Sequence, residues 1–335
     1  MSATAACIFG CEGPALGDAE RAFFAETAPW GFILFARNVQ TPDQLRRLTG
    51  DLRDAVGRDA PIFVDQEGGR VQRLRAPYWR EWLPPLDTVE AAGPQAPLAM
   101  YLRARLIAAE LRAVGIDGNC APTVDIAGPL THPFLRNRCY GSDLDTVVAV
   151  ARAVAKGLLD GGVLPVMKHM PGHGRATIDT HLDLPRVTDA AEDLLRSDFA
   201  AFRALADLPL GMTAHIVFSA YDDQPATCSA PMIRVIRDQI GFGGLLMTDD
   251  LSMQALSGTI GERAAASRRA GCDVMLHCNG NLGDMQAVAA ASGALAGAAL
   301  TRAEAALAAR RTPDTADPKA LDAELAQLVR DQADA

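Results

Sequence analysis

Short apolar runs alternate with longer amphipathic stretches along this chain. Eight runs read as strands: Ala5–Cys11, Gly31–Ala36, Pro61–Glu67, Gly118–Asp125, Val163–His169, Leu208–His215, Gly244–Asp249 and Cys272–Cys278. Most are continuously apolar rather than alternating, the pattern of parallel strands covered on both faces. Helical stretches lie between them. One starts at Thr41 or Asp43 and runs through Ala55. Another covers Leu98–Val114, where Leu102, Leu106, Ala109 and Leu111 form a stripe and Pro97 suits a helix start. Asp145–Leu159, Asp189–Leu205 and Glu262–Gly271 follow, with Asp189 and Thr301 placed as caps. The Ala-rich run Met285–Leu300 reads as a surface helix. Eight strands alternating with helices favour an α/β fold, a (β/α)8 TIM-type barrel, over an open doubly wound sheet. The early strands are expected to be irregular, since the fourth carries Gly118 and Pro122.

The 335 residues suit two average domains or one barrel. No linker divides them, so residues 1–335 read as a single catalytic barrel domain with no second sandwich domain. Thr312–Pro318 introduces a final helix, about 317–330, that packs on the barrel. At 49% hydrophobic and 22% charged, the chain can bury a large core without disulfides or metals. The net charge of −9 argues against a nucleic-acid or anionic-lipid partner. No window of 18 strongly apolar residues suggests a membrane span. The first residues, MSATAACIFGCEG, lack a basic region and do not read as a secretory signal. Seven scattered cysteines without a CxxC pair then suggest reduced thiols in a cytoplasm and no zinc finger.

Polar residues gather where the candidate strands end: VDQEGGRVQR from Val64, LRNRCYG from Leu135, KHMPGHGRATIDTHLDLP from Lys168, TAHI from Thr213 and MTDDLSM from Met247. In a barrel these loops converge on the C-terminal rim, where substrates bind. Asp249 and Asp250 are adjacent, so only one can face the mouth; the other would cap a following helix, DLSMQAL. Alternation does not choose between them. Asp65 and Glu67, two apart, share a face and suit an acid/base pair, a metal site or a sugar clamp. A turn in which Glu67 bridges to Arg70 or Arg73 is the plainer alternative. Lys168 is one of only three lysines. It opens a stretch holding His169, His173, Asp179 and His181. That stretch could ligate zinc, carry a Schiff-base lysine, or hold an Asp179–His181 proton-transfer dyad. PGHG matches neither usual phosphate-loop pattern. Arg138 could bind a carboxylate, phosphate or sugar hydroxyls, or simply form a surface salt bridge. His215 could be a core histidine; His132 and His277 have no assigned role.

The segments GFILFARN, VDQEGGRVQRL, APTVDI, NRCYGSD, KHMPGHG, DTHLDLP, MTAHI, PATCS and TDDLSM, in this order, resemble glycoside hydrolase family 3. They are most similar to its single-domain bacterial β-N-acetylhexosaminidases of peptidoglycan recycling. Met170, Thr180 and the Cys139-Tyr140 pair depart from the family's usual residues. The resemblance implies Asp249 as nucleophile and His181 as general acid/base with Asp179 as its partner. It implies Asp65, Arg73, Arg138, Lys168 and His169 as sugar-binding residues. It also implies a retaining reaction on terminal non-reducing β-1,4-linked N-acetylglucosamine, with N-acetylglucosaminyl-1,6-anhydro-N-acetylmuramic acid, with or without peptide, as natural substrate. No cofactor or metal is implied, and a cytoplasmic monomer is expected. The alternatives are a family relative of other sugar preference, such as a β-glucosidase, a glycoside phosphorylase, a Lys168 Schiff-base lyase and a silent sugar-binding protein.

Overall fold

The computed structural model describes residues 3–177 and 184–333. At its centre lies one parallel sheet of eight strands: β1 (Ala5–Gly10), β2 (Pro29–Leu34), β3 (Ile62–Val64), β4 (Gly118–Asn119), β5 (Leu164–Met170), β6 (Leu210–Thr213), β7 (Leu245–Met247) and β8 (Met275–His277). Neighbours run β7-β6-β5-β4-β3-β2-β1-β8. A parallel bridge from Met247 to Val274 joins the two ends of the sheet into a ring. Helices follow every strand, among them Asp18–Thr27, Pro42–Val56, Ala96–Arg112, Leu144–Asp160 and Ile260–Ala270. The expected (β/α)8 TIM-type barrel is the observed fold; all eight predicted strands are present, six of them shortened and the second and fifth of the predicted length but shifted by one or two residues.

The apolar runs lack alternation because both faces of every strand are buried. Ala6 and Ile8 of β1, Phe63 of β3, Leu164 and Val166 of β5, and Leu245 and Met247 of β7 pack in the barrel's interior. Cys7, Phe9, Ile62, Val64, Met167 and Leu246, one residue out of phase, pack against the helices. Strand parity therefore aims the residues just past the strand ends. Asp65 continues the inward phase of Phe63, Lys168 that of Val166, and Asp249 that of Met247.

The short β4 packs tightly against β3. The Phe63 ring fills the space a side chain at Gly118 would need, and a Cβ there would sit 2.2 Å from it. Past β4, the Asn119 side chain pairs with the backbone of Gln66, accepting its N–H at 3.0 Å and donating to its carbonyl at 3.1 Å. Pro122 has no N–H to offer a ladder. A single bridge, Thr123 to Lys168, continues the contact with β5.

Side-chain caps set several helix starts. Thr41 caps Pro42–Val56 by accepting the Gln44 N–H at 3.2 Å. Asp143 does the same for Leu144–Asp160 through Thr146 at 2.9 Å. Three sequence expectations are corrected. Asp189 is not a cap: it pairs with Arg175 at 2.6 Å, and the predicted 189–205 helix is two helices, Ala191–Arg196 and Asp198–Arg203, broken at Ser197. Thr301 lies inside the helix Gly297–Ala308 rather than at its start. The run 285–300 is likewise divided, between Leu282–Ser292 and Gly297–Ala308. There the chain crosses the barrel floor. Ala294 bridges to Ala5, Leu295 donates to the Thr4 carbonyl at 2.9 Å, and Leu295, Ala303 and Ala306 join the interior cluster. The final helix, Pro318–Ala333, packs on Ala96–Arg112 and is pinned by Arg80–Asp322 at 2.6 Å. Among the described residues no helix is long and apolar enough to cross a membrane.

Gly118→Ala forces a methyl into the Phe63 ring and is expected to destabilise the protein by about 1–3 kcal/mol, the usual cost of overpacking. Urea unfolding measures it. Adding Phe63→Leu should recover part of the loss; no recovery would place the strain elsewhere.

Candidate active site

The strand ends deliver their side chains to one pocket of about 260 Å3 at the C-terminal mouth of the barrel. Asp65, Arg73, Arg138, Lys168, His169 and Asp249 all line it. Six of the eight residues expected from the sequence to act are thus brought together. Asp179 and His181 lie outside the described residues.

One wall is a chain of five alternating charges. Arg73 Nη2 donates to Asp65 Oδ2 at 3.0 Å, and Lys168 Nζ donates to Asp65 Oδ1 at 2.9 Å. The same ammonium lies 2.6 Å from Glu67 Oε1. Arg138 closes the chain with a fork on Glu67, Nε to Oε2 at 2.9 Å and Nη2 to Oε1 at 2.8 Å. Lys168 is 2% exposed and Glu67 5%. Ions this buried persist only when paired. Burial pushes both carboxyls up, but the cations outweigh it. Lys168 and Arg73 hold Asp65 well below the usual carboxylate range, and Arg138 and Lys168 hold Glu67 at about 2. Burial lowers the Lys168 ammonium, yet Asp65 and Glu67 raise it above its ordinary value.

Two plainer sequence readings are corrected here. Glu67 does not bridge to Arg70 or Arg73. Arg73 is taken by Asp65, and Arg70 lies with its guanidinium 3.4 Å from the Phe134 ring centre. Arg138 is no surface residue but a buried one in a two-point pair. The Lys168 lyase reading also loses its basis, because Schiff-base chemistry needs a neutral amine and this one is held as a cation. The Gly68-Gly69 turn between Glu67 and Arg70 has φ of +110° and +58°, which glycine adopts without strain.

The opposite side carries the aspartate pair. Asp249 follows the inward phase of β7 and lines the pocket, with Oδ1 accepting the Asp250 N–H at 2.8 Å. Asp250 does not cap a helix, since residues 251–256 form turns and bends rather than the expected DLSMQAL helix. Its carboxylate instead accepts the backbone N–H groups of Ser252 at 3.1 Å and Cys278 at 3.2 Å. Its carbonyl accepts from His215 Nε2 at 2.9 Å. His215 is a buried structural histidine, tied also to Thr227 Oγ1 at 2.8 Å. Burial pushes the Asp249 carboxyl up, but His215, His169, the Asp250 N–H and Lys168 together hold it below its ordinary value. Asp249 is therefore a carboxylate at neutral pH, with its second oxygen unclaimed by any described residue.

His169 and His173 meet at a residue the sequence reading gave no role. Asp125 is fully buried behind the pocket and takes His169 Nδ1 at 2.8 Å and the His173 N–H at 2.7 Å. The signal was available: Asp125 is the one charged residue of the stretch APTVDI, at the end of the fourth strand run. Burial, then His169, push the His173 imidazole down to about 4, so it is neutral at physiological pH. His132 caps the single turn Pro133–Arg136. Cys278, also missed, lines the pocket beside Asp250. All seven cysteines are free thiols. Among the described residues, no three His, Cys, Asp or Glu side chains are grouped so as to hold a metal.

Comparison with known proteins gives this arrangement a context. Residues 17–311 match the model of the glycosyl hydrolase family 3 N-terminal domain. A protein of Methylococcus capsulatus named beta-hexosaminidase is 39% identical over 279 residues, covering 81% of this chain and 82% of that protein. A beta-hexosaminidase of Photobacterium profundum is 36% identical over 282 residues, 82% of each. The crystal structure of NagZ from Neisseria gonorrhoeae, in complex with N-trifluoroacetyl-D-glucosamine, superposes with a TM-score of 0.81 at 29% identity and 98% coverage of both chains. A family 3 beta-N-acetylglucosaminidase from Paenibacillus sp. superposes at 0.86 with 31% identity, over 98% of this chain but 66% of that longer one.

Lys168→Met should leave Asp65 to Arg73 alone and Glu67 to Arg138 alone, with no cation between the two buried carboxylates, and cost about 3 kcal/mol at neutral pH. Asp65 and Glu67 have folded pKa values below their unfolded ones, about 3.9 and 4.3. Their contribution is therefore full above the unfolded values and lost as pH falls through the folded ones. Denaturant titrations should show the penalty of Lys168→Met largest above about pH 5 and shrinking toward pH 2. A pH-independent penalty would contradict the charge chain.

Proposed function

The chain belongs to glycosyl hydrolase family 3, and from that footing we propose that it is a β-N-acetylhexosaminidase working through Asp249. It removes terminal non-reducing β-1,4-linked N-acetylglucosamine with retention of configuration. The observation that carries this reading is the pocket itself. It has room for about one sugar ring, an ionised Asp249 on one side and a fixed chain of charges on the other. The relatives named beta-hexosaminidase support the choice of sugar.

The chemistry needs a nucleophile and a proton donor on either side of the glycosidic bond. One Asp249 oxygen attacks the anomeric carbon as the bond to the leaving oxygen breaks. The proton for that oxygen comes from His181, whose partner is Asp179. Water then attacks the glycosyl ester, giving its proton back to His181 and freeing Asp249. A histidine suits this double role because its ordinary pKa lies near the working pH. The charge chain grips the sugar hydroxyls. Asp65 can accept from them, and Arg138 and Lys168 can donate to them, without reorganising during the reaction. Muropeptide-derived N-acetylglucosaminyl-1,6-anhydro-N-acetylmuramic acid is the natural substrate proposed, with a cytoplasmic, monomeric enzyme that needs no cofactor.

Steady-state cleavage of p-nitrophenyl β-N-acetylglucosaminide, beside the β-glucoside, tests this. Wild type should prefer the N-acetyl sugar. Asp249→Asn should lose on the order of 10³-fold or more in kcat, about 4 kcal/mol of barrier. His181→Ala should accumulate a glycosyl-enzyme detectable by intact mass. Undiminished activity in Asp249→Asn would move the nucleophile elsewhere, and a preference for glucose or for phosphate as acceptor would change the enzyme class.

A further inference from the structure

Asp125 sits outside the pocket, yet three donors from the end of β5 and the turn after it converge on its carboxylate. Oδ1 accepts the backbone N–H of His173 at 2.7 Å and of His169 at 3.3 Å. Oδ2 lies 2.8 Å from His169 Nδ1. The residue is completely buried. Burial pushes its carboxyl up, but His169 and His173 outweigh that and hold it below its ordinary value. An ionised carboxylate can only accept. The proton between the two groups must therefore sit on Nδ1, whether the imidazole is neutral or charged. His173, whose ring packs edge-on against His169 at 5.3 Å and 64°, limits rotation of that ring. The Nδ1 edge is thus committed to Asp125, behind the pocket, while His169 itself lines the pocket.

We propose that Asp125 is a positioning residue for the glycosidase reaction: it sets the tautomer and orientation of His169, so that Nε2 meets a hydroxyl of the bound sugar as a hydrogen-bond acceptor. This rests on the reading of the pocket as a sugar site. Neighbouring Lys168 and Arg138 can only donate. A sugar hydroxyl that donates to His169 can at the same time accept from one of these cations, so acceptor and donors act on one group together. With the opposite tautomer, Nε2–H would be one more donor in a wall already rich in them.

Asp125→Asn reverses this polarity at almost no change in volume. The two backbone N–H groups keep an oxygen on one side. The new amide NH2 then faces Nδ1, which must become the acceptor, and the ring proton moves to Nε2. Long-range 1H–15N spectra of the six histidines, recorded at alkaline pH where imidazoles are neutral, read this directly. The His169 signal is identified by its loss in His169→Gln. Wild type is expected to show the Nδ1–H tautomer, and Asp125→Asn the Nε2–H tautomer. The kcat/KM for p-nitrophenyl β-N-acetylglucosaminide should fall on the order of tenfold to a hundredfold, as when the hydrogen-bond partner of a functional histidine is removed. An Nε2–H tautomer in wild type, or a tautomer switch that leaves kcat/KM untouched, overturns the proposal. Should Asp125→Asn fail to fold, wild type alone decides. Saturating N-acetylglucosamine should move the His169 Nε2 resonance in the direction of an accepted hydrogen bond, and no movement overturns it. If the pocket were not a sugar site, wild type would lack glycosidase activity while keeping the Nδ1–H tautomer, which separates that failure from this one.

Discussion

Everything at the mouth of this barrel is arranged around one buried ammonium. Lys168 has almost no contact with solvent, and two carboxylates from a different strand end neutralise it. Those carboxylates would be untenable without Arg73 and Arg138 on their outer sides. The outcome is a lattice of alternating charge contributed by three separate stretches of chain. Its members can offer hydrogen bonds to a polar ligand without first losing an interaction to water. It forms the charged part of a pocket whose lining is half charged or polar and half apolar.

The barrel makes the lattice possible by phase alone. Residues whose side chains fill the interior alternate with residues packed on the helices. The first polar residue to keep the inward phase beyond a strand lands in the pocket. Phe63 leads to Asp65, Val166 to Lys168 and Met247 to Asp249. Asp250 is out of that phase; it still borders the pocket, but backbone N–H groups hold its carboxylate and His215 its carbonyl. One aspartate of the pair keeps an oxygen unclaimed by any described residue, while the other shapes the turn that presents it.

Behind the charged wall lies a second layer, in which Asp125 gathers His169 and His173 and His215 anchors the Asp250 carbonyl. Asp125 and His215 lie outside the pocket lining, while His169 and His173 border it. They determine which way donors and acceptors face, and so convert a collection of polar side chains into a site with a defined polarity. Gly118 belongs to the same economy of space: by leaving room for the Phe63 ring, it sets how β4 lies against β3 and hence where the segment carrying Asp125 begins.

Much of this was legible in the chain itself. Eight continuous apolar runs imply strands buried on both faces, and only a few folds bury strands that way. The polar clusters at their ends, and the family resemblance they carry, name Asp65, Arg73, Arg138, Lys168, His169 and Asp249 as one site. What one dimension does not contain is the partner. Spacing offered Arg70 or Arg73 to Glu67, because pairs near in sequence are the ones a sequence displays; the actual partners, Arg138 and Lys168, lie 71 and 101 positions away. Helix limits failed at Ser197 and between residues 293 and 296 for a related reason. There, contacts with the barrel floor and between separate segments override local propensity. The burial of Arg138 and the gathering of His169 and His173 around Asp125 likewise appear only in three dimensions. The residue types were set by the sequence; their charges, tautomers and phases follow from neighbours that only closure of the barrel brings within hydrogen-bonding distance.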